Sequence, residues 1–175
     1  MRTLILSCFV IISFLSCKDE KKEEVIQDVE IVTTYYLIRH AEKDRSDSTN
    51  TNPALTTKGL ERAKLWASYF DSIPLDKIYS TNYVRTQQTA KDVSEKKSLP
   101  IESYEPKSLI TDDFKEATKG KHILIVGHSN TTPMLVNQLL GNGKFDDIPD
   151  NDNSRLYVVE LSKGKKCANI RKVEL

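Results

Sequence analysis

The chain has 175 residues, 38% hydrophobic and 29% charged, a balance that excludes a polytopic membrane protein and suits about one packed domain. Lys and Arg number 26 against 25 Asp and Glu, so no overall basic field exists to hold nucleic acid. The three cysteines, Cys8, Cys17 and Cys167, are too few for a disulfide framework or a thiolate zinc site, and the sequence predicts neither a metal nor a cofactor.

In chain order, residues 1–16 come first: a basic Arg2, an apolar run from Leu4 to Leu15 and a small Ser16. That is the order of a secretory signal peptide, and its apolar run is shorter than the ~20 residues a spanning helix needs. Cys17 follows directly, and Leu15-Ser16-Cys17 resembles the processing site of bacterial lipoproteins, in which the cysteine becomes the lipidated first residue. Phe14 stands where that pattern usually has leucine. The sequence therefore predicts a chain held in the bacterial cell envelope through a lipid on Cys17, at the outer membrane or facing the periplasm. Residues 18–30 carry nine charges and no aromatic residue, which reads as a tether, with residues 17–31 as the anchor-and-tether segment. Lys18-Asp19-Glu20 also resembles the surface-export signal of some Gram-negative lipoproteins, although a solvated spacer is the simpler reading. Loss of residues 1–16 removes only Arg2, leaving 25 positive and 25 negative side chains, so any anion must be attracted locally.

Residues 32–175 alternate between strand and helix patterns. Residues 33–39 (TTYYLIR) and 122–128 (HILIVGH) are apolar runs of strand length suited to the centre of a sheet. Residues 77–80, 100–104 and 154–161 are further strands, with 169–175 as an edge partner. Thr56 or Thr57 caps a helix in which Leu60, Ala63, Ala67 and Phe70 recur at helical spacing. A second helix is predicted over 84–96, a short one over 113–118, and a last one from Pro133 to just before Gly141. Strands interleaved with helices predict an α/β three-layer sandwich, a mostly parallel sheet with helices on both faces.

Ligands of such sheets sit beyond the carboxyl ends of the strands. Arg39-His40 ends one predicted central strand and Gly127-His128 the other, while Arg85 follows the strand ending at Ser80. Two histidines and two arginines at one end of a sheet argue against a purely structural role for them more strongly than one histidine alone would.

The same residues carry a resemblance. Arg39-His40-Ala41-Glu42 resembles the Arg-His-Gly-Glu signature of the histidine phosphatase, or phosphoglycerate-mutase-like, superfamily. Residues 52–63 (NPALTTKGLERA), residues 80–90 (STNYVRTQQTA) and Gly127-His128-Ser129 are similar to its next three blocks, in family order. The resemblance implies a pocket of His40, Arg39, Arg85 and His128 and a phosphohistidine intermediate on His40 that water hydrolyses. His128, if protonated, adds a third cationic donor. The substrate is then a small phosphorylated molecule or a phosphoprotein. Two departures stand out: Ala41 replaces glycine, which a negative φ tolerates, and Glu61-Arg62 replaces a residue-glutamine pair expected on a surface turn of helix. No acid-bearing insertion is recognisable. Glu105, Asp112 and Asp113 lie where the family's acid tends to sit, though each taken singly reads more simply as a solvated loop carboxylate. Glu42 is a further candidate acid, though as the fourth residue of the signature it reads more simply as orienting its loop. Asn130 reads as a substrate contact or, more simply, a helix cap. Two other functions remain open at this point: a non-catalytic phosphate-binding envelope lipoprotein, and a phosphoglycerate-type mutase.

Overall fold

A computed structural model describes residues 30–175, so the predicted signal peptide, Cys17 and most of the predicted tether lie outside the described residues. Six strands and four helices alternate: β1 (Thr33–Arg39), α1 (Thr57–Tyr69), β2 (Lys77–Ser80), α2 (Val84–Lys97), β3 (Ile101–Ser103), α3 (Asp112–Ala117), β4 (His122–Gly127), α4 (Thr131–Leu140), β5 (Arg155–Ser162) and β6 (Lys165–Lys172). The strands form one sheet in the order β3-β2-β4-β1-β5-β6. The first four in that order run parallel, whereas β5 and β6 are antiparallel to their neighbours.

The sheet is buried on both faces by the alternation of its own residues. Tyr35, Leu37, Ile123, Ile125 and Tyr157 point to one side, where Leu135, Val136 and Leu139 of α4 and Phe114 of α3 cover them. Tyr36, Ile38, Leu124 and Val126 point to the other, against Trp66 and Ala67 of α1 and Ala90 and Val93 of α2. Both sides of β1 are therefore core, which is why its sequence reads as a continuous apolar run rather than an alternating one. The three-layer α/β sandwich is as predicted, with a mixed sheet.

Several boundaries differ from the sequence reading, each for a local reason. β6 begins at Lys165, four residues before the predicted Asn169, because Gly164 at φ +77° allows a tight hairpin. Its first residues, Lys165 and Lys166, are exposed on an edge strand, so no apolar pattern marked them. α4 begins at Thr131 with Asn130 as its cap, and Pro133 lies two residues inside, where its missing N–H costs nothing in a first turn. In α1, Leu60 is 44% exposed and the stripe facing the core is Gly59, Arg62, Ala63, Trp66 and Ala67. The expectation that position 62 lies on a surface turn is thus corrected: Arg62 is 4% exposed, because Glu42 and the chain end at Val173 close over it.

Candidate active site

The end of β1 carries the signature, and its neighbours hold it in place. His40 N donates to Gly127 O (2.9 Å), continuing the β1–β4 pairing past the sheet. Ala41 is fully buried and its N–H donates to Thr89 Oγ (2.9 Å) of α2; its φ is not positive, so the methyl group is accommodated. Glu42 receives Arg62 Nε (3.1 and 3.0 Å) and Nη2 (2.9 Å), a charge-assisted fork, while Arg62 Nη1 donates to Val173 O (3.0 Å). The carbonyl of Glu42 accepts from Thr56 N (2.9 Å). Gly59 packs so closely there that a Cβ would lie 2.2 Å from that oxygen. The loop is thereby pinned from α1, from α2 and from the chain end.

His40 is 4% exposed and its Nδ1 lies 2.7 Å from Ala41 O. A carbonyl only accepts, so Nδ1 carries the hydrogen and Nε2 keeps its lone pair. Burial, with Arg39, Arg85 and His128 adding to it, pushes His40 down to about 3, so the ring is neutral at pH 7. His128 faces it with ring centroids 5.6 Å apart, and burial together with Arg85 and Arg39 pushes it down to about 4. His128 is accordingly neutral in this structure rather than a third cation.

Arg39 is 3% exposed and anchored from behind: Nη1 donates to Pro149 O and Asp150 O (each 3.0 Å), and Nη2 to Asp150 Oδ1 (2.6 Å). Arg85 sits in the first turn of α2, with Nη2 3.5 Å from His128 Nδ1 and its guanidinium 4.4 Å from the Tyr83 ring centre. Arg39 Nε and Arg85 Nε and Nη1 are buried donors without a protein partner. Buried N–H groups of this kind are costly unless an acceptor completes them, and the side chains that carry them border a cavity of about 630 Å³. His40, His128, Arg39 and Arg85 all line it, and so do Asn130 and Glu105.

The remaining acids named from the sequence lie elsewhere. Asp112 and Asp113 start α3, where Asp112 pairs with Lys115 (2.9 Å) in solvent, and neither lines the cavity. Asn130 accepts from Thr131 N (2.9 Å) as the α4 cap while also lining the cavity. Among the described residues no three His, Cys, Asp or Glu side chains gather as a metal-ligand set. A slightly larger cleft of about 690 Å³, at the opposite end of the sheet beside Ile31, Tyr35 and Leu161, holds no histidine and none of these donors.

Sequence reasoning missed the contribution of the β5 end. Because β5 is antiparallel to β1, the residues before it lie beside the end of β1. Asn153 Nδ2 donates to His40 O (2.9 Å), and Asp150 bridges Arg39 to Arg45 (2.8 Å) across the rim. The acidic and amide-rich run 150–153 preceding a strand was the available signal. Lys43, which also lines the cavity, directly follows the signature and carries no pattern that singles it out.

The sequence of residues 35–106 matches the family model described as histidine phosphatase superfamily (branch 1), a span that includes His40 and Arg85 and ends before His128. Over that span the chain is similar to the family whose signature its sequence resembles. Solved structures agree on the fold. The protein histidine phosphatase SixA complexed with tungstate is 17% identical, covers 79% of this chain and 96% of its own, and superposes with a TM-score of 0.63. Phosphoglycerate mutase from Bacillus anthracis is 14% identical over 82% of this chain and 93% of its own, with a TM-score of 0.61. The alpha-ribazole phosphatase from Shigella flexneri is 16% identical over 80% and 95%, with a TM-score of 0.56. No curated protein matches in sequence.

Proposed function

We propose that this chain belongs to the histidine phosphatase superfamily and is a phosphatase that hydrolyses a phosphomonoester or a phosphoprotein through a phosphohistidine on His40. The observation that carries the reading is the pairing of a neutral His40, hydrogen-bonded at Nδ1 and free at Nε2, with the two guanidinium side chains of Arg39 and Arg85 lining the same cavity. The Nε2 lone pair attacks phosphorus and the ester P–O bond breaks, with Arg39 and Arg85 taking the charge of the equatorial oxygens. Glu105, exposed and the one of the three named acids at the cavity, is placed to relay a proton from solvent to the leaving oxygen. Water then attacks phosphorus, the P–N bond breaks, the water's proton leaves by the same route, and inorganic phosphate departs with His40 regenerated. A phosphohistidine substrate would need less from Glu105, because imidazole is a better leaving group than an alkoxide.

The proposal extends to location. The order of Arg2, an apolar run, Ser16 and Cys17 supports a lipid-anchored envelope protein, with residues 18–30 holding the domain at most about 45 Å from the anchor. The deciding experiment for the chemistry is a phosphate-release screen over small phosphomonoesters and phosphoproteins beside His40→Ala, with rapid alkaline quench of the wild type after exposure to labelled substrate. Label on His40 and an inactive variant are expected. Label on Ser80 or Ser129, or an active His40→Ala protein, would overturn it, and tight phosphate binding without turnover would favour a binding protein.

A further inference from the structure

The second histidine is held by a chain of hydroxyl groups whose direction can be read from its far end. Thr86 Oγ lies 2.8 Å from Thr81 O and 2.9 Å from Tyr83 O, and both carbonyls only accept. The Thr86 hydroxyl hydrogen is therefore committed to a carbonyl, which leaves its oxygen as an acceptor. Thr81 Oγ lies 3.0 Å from that oxygen and donates to it. With its own hydrogen committed, Thr81 Oγ can only accept from the third partner, His128 Nε2, at 3.0 Å. Thr81 is 2% exposed and Thr86 fully buried, so no solvent enters to reverse the chain.

We infer that Thr81 and Thr86 are positioning residues that lock His128 as its Nε2–H tautomer and leave Nδ1 as the atom that takes up a proton when a phosphoryl group enters the cavity. The two facing imidazoles are then held in opposite tautomers, Nδ1–H on His40 and Nε2–H on His128. Nδ1 of His128 is aimed at Arg85 Nη2, 3.5 Å away, on the guanidinium whose other nitrogens lack partners.

The uptake of a proton follows from the charges around that atom. Arg85 from α2, Arg39 from β1 and Lys43 beyond β1 all disfavour a cation on His128, while Glu105 and Asp150 are the acids at the cavity and Tyr83 presents its ring edge-on at 5.0 Å. A phosphate oxygen brought beside Nδ1 reverses the balance, since two lone pairs repel and a proton between them makes a charge-assisted hydrogen bond. The proton comes from the ligand itself: monoanionic dihydrogen phosphate transfers one hydrogen to Nδ1 and becomes the dianion beside an imidazolium. The tautomer lock stands on the protein alone, whereas the proton uptake rests on the phosphoryl-transfer reading.

The test is imidazole ¹⁵N NMR of the full chain, which has only three histidines. In the ligand-free protein at pH 7.5, His128 should show a pyrrole-type Nε2 and a pyridine-type Nδ1, and His40 the reverse. Adding inorganic phosphate should convert His128 Nδ1 alone to the protonated type. In Thr81→Val the two tautomers should mix and kcat/KM should fall roughly fivefold to tenfold, the effect of one lost neutral hydrogen bond. The acid limb of the pH profile should move with it, and Thr81→Ser should restore both. Thr86→Val, which removes only the end of the chain, should give the same loosening if Thr81→Val does not fold. A wild-type His128 protonated on Nδ1, or a variant that keeps pure Nε2–H and wild-type rates, overturns the lock. Phosphate bound with Nδ1 still bare overturns the proton uptake. No binding of phosphate at all would defeat the phosphatase reading and leave the tautomer result standing.

Discussion

At the scale of single residues, the guanidinium groups divide their work. Arg39 is tied to the 149–152 loop as well as facing the cavity, whereas Arg85 has its Nε and Nη1 free of protein partners. Arg85→Lys is therefore the cleaner test of bidentate recognition. It keeps the charge and removes the fork, and each lost charge-assisted bond should cost roughly 1.5–3 kcal/mol in kcat/KM with little change in melting temperature. Steady-state kinetics on the wild type and the variant check this, and near-equal rates would place Arg85 outside the reacting complex. The two histidines make a second prediction, about acid. Both are pushed below the ordinary 6.5, to about 3 and about 4, so between those values and 6.5 the unfolded chain binds protons that the folded chain refuses. Stability is then fully present above pH 6.5 and falls as the pH drops, by up to roughly 1.4 kcal/mol per unit from the buried His40. Urea unfolding at pH 7 and pH 5 should show a clear loss, and a flat profile would mean the rings are not held neutral. The histidines and arginines were legible in the sequence because strand ends and charge type mark them. Asp150 and Asn153 were not, because their place beside His40 depends on β5 running antiparallel, which no local pattern announces.

At the scale of elements, α1 shows how one polar residue can sit in a core stripe. Read by periodicity alone, Leu60 belongs inside and Arg62 outside, yet Leu60 is 44% exposed and Arg62 is buried. The deciding factor is the approach of the signature loop, which Gly59 permits by lacking a Cβ where one would meet Glu42 O at 2.2 Å. That approach places Glu42 against Arg62, and α1 becomes the platform on which the signature loop rests. Arg62→Ala strands the Glu42 carboxylate and frees the Val173 carbonyl, so it should cost about 3–5 kcal/mol, lowering the melting temperature by roughly 6 °C or more. Arg62→Lys, which can meet Glu42 with one bond, should recover part of this. Calorimetry of the three proteins decides the matter; an unchanged melting temperature in Arg62→Ala would mean the fork contributes nothing. Strand and helix existence was legible throughout, since the central strands are apolar on both faces. The side of α1 that faces inward was not, because a long-range ion pair overrides the apolar spacing.

At the scale of the whole molecule, a nearly neutral chain concentrates cations at one end of its sheet. Arg39, Lys43 and Arg85 meet at the cavity, with Arg45 at its rim, while the polypeptide enters the fold at Thr33, the far end of β1. An anchor preceding residue 30 would thus attach on the side away from the chemistry, and catalysis should not depend on it. If Cys17 is the lipidated residue, the wild type should partition with membranes and yield an acylated N-terminal peptide on digestion. Cys17→Ala should abolish acylation and that cleavage, while phosphate release by the detergent-solubilised variant stays within about twofold of the wild type, since among the described residues the cavity is lined only from Arg39 onward. One acyl chain binds membranes only marginally, so stable partitioning requires the several chains that a lipoprotein carries. Fractionation, mass spectrometry of the N-terminal peptide and an activity assay on both proteins read the three clauses separately. A wild-type protein found wholly in the soluble fraction, with a mature N-terminus other than Cys17, defeats the anchor and leaves ordinary secretion. A variant that loses activity along with the lipid defeats instead the independence of the two ends, because it would mean the anchor reaches a cavity that lies beyond the opposite end of β1.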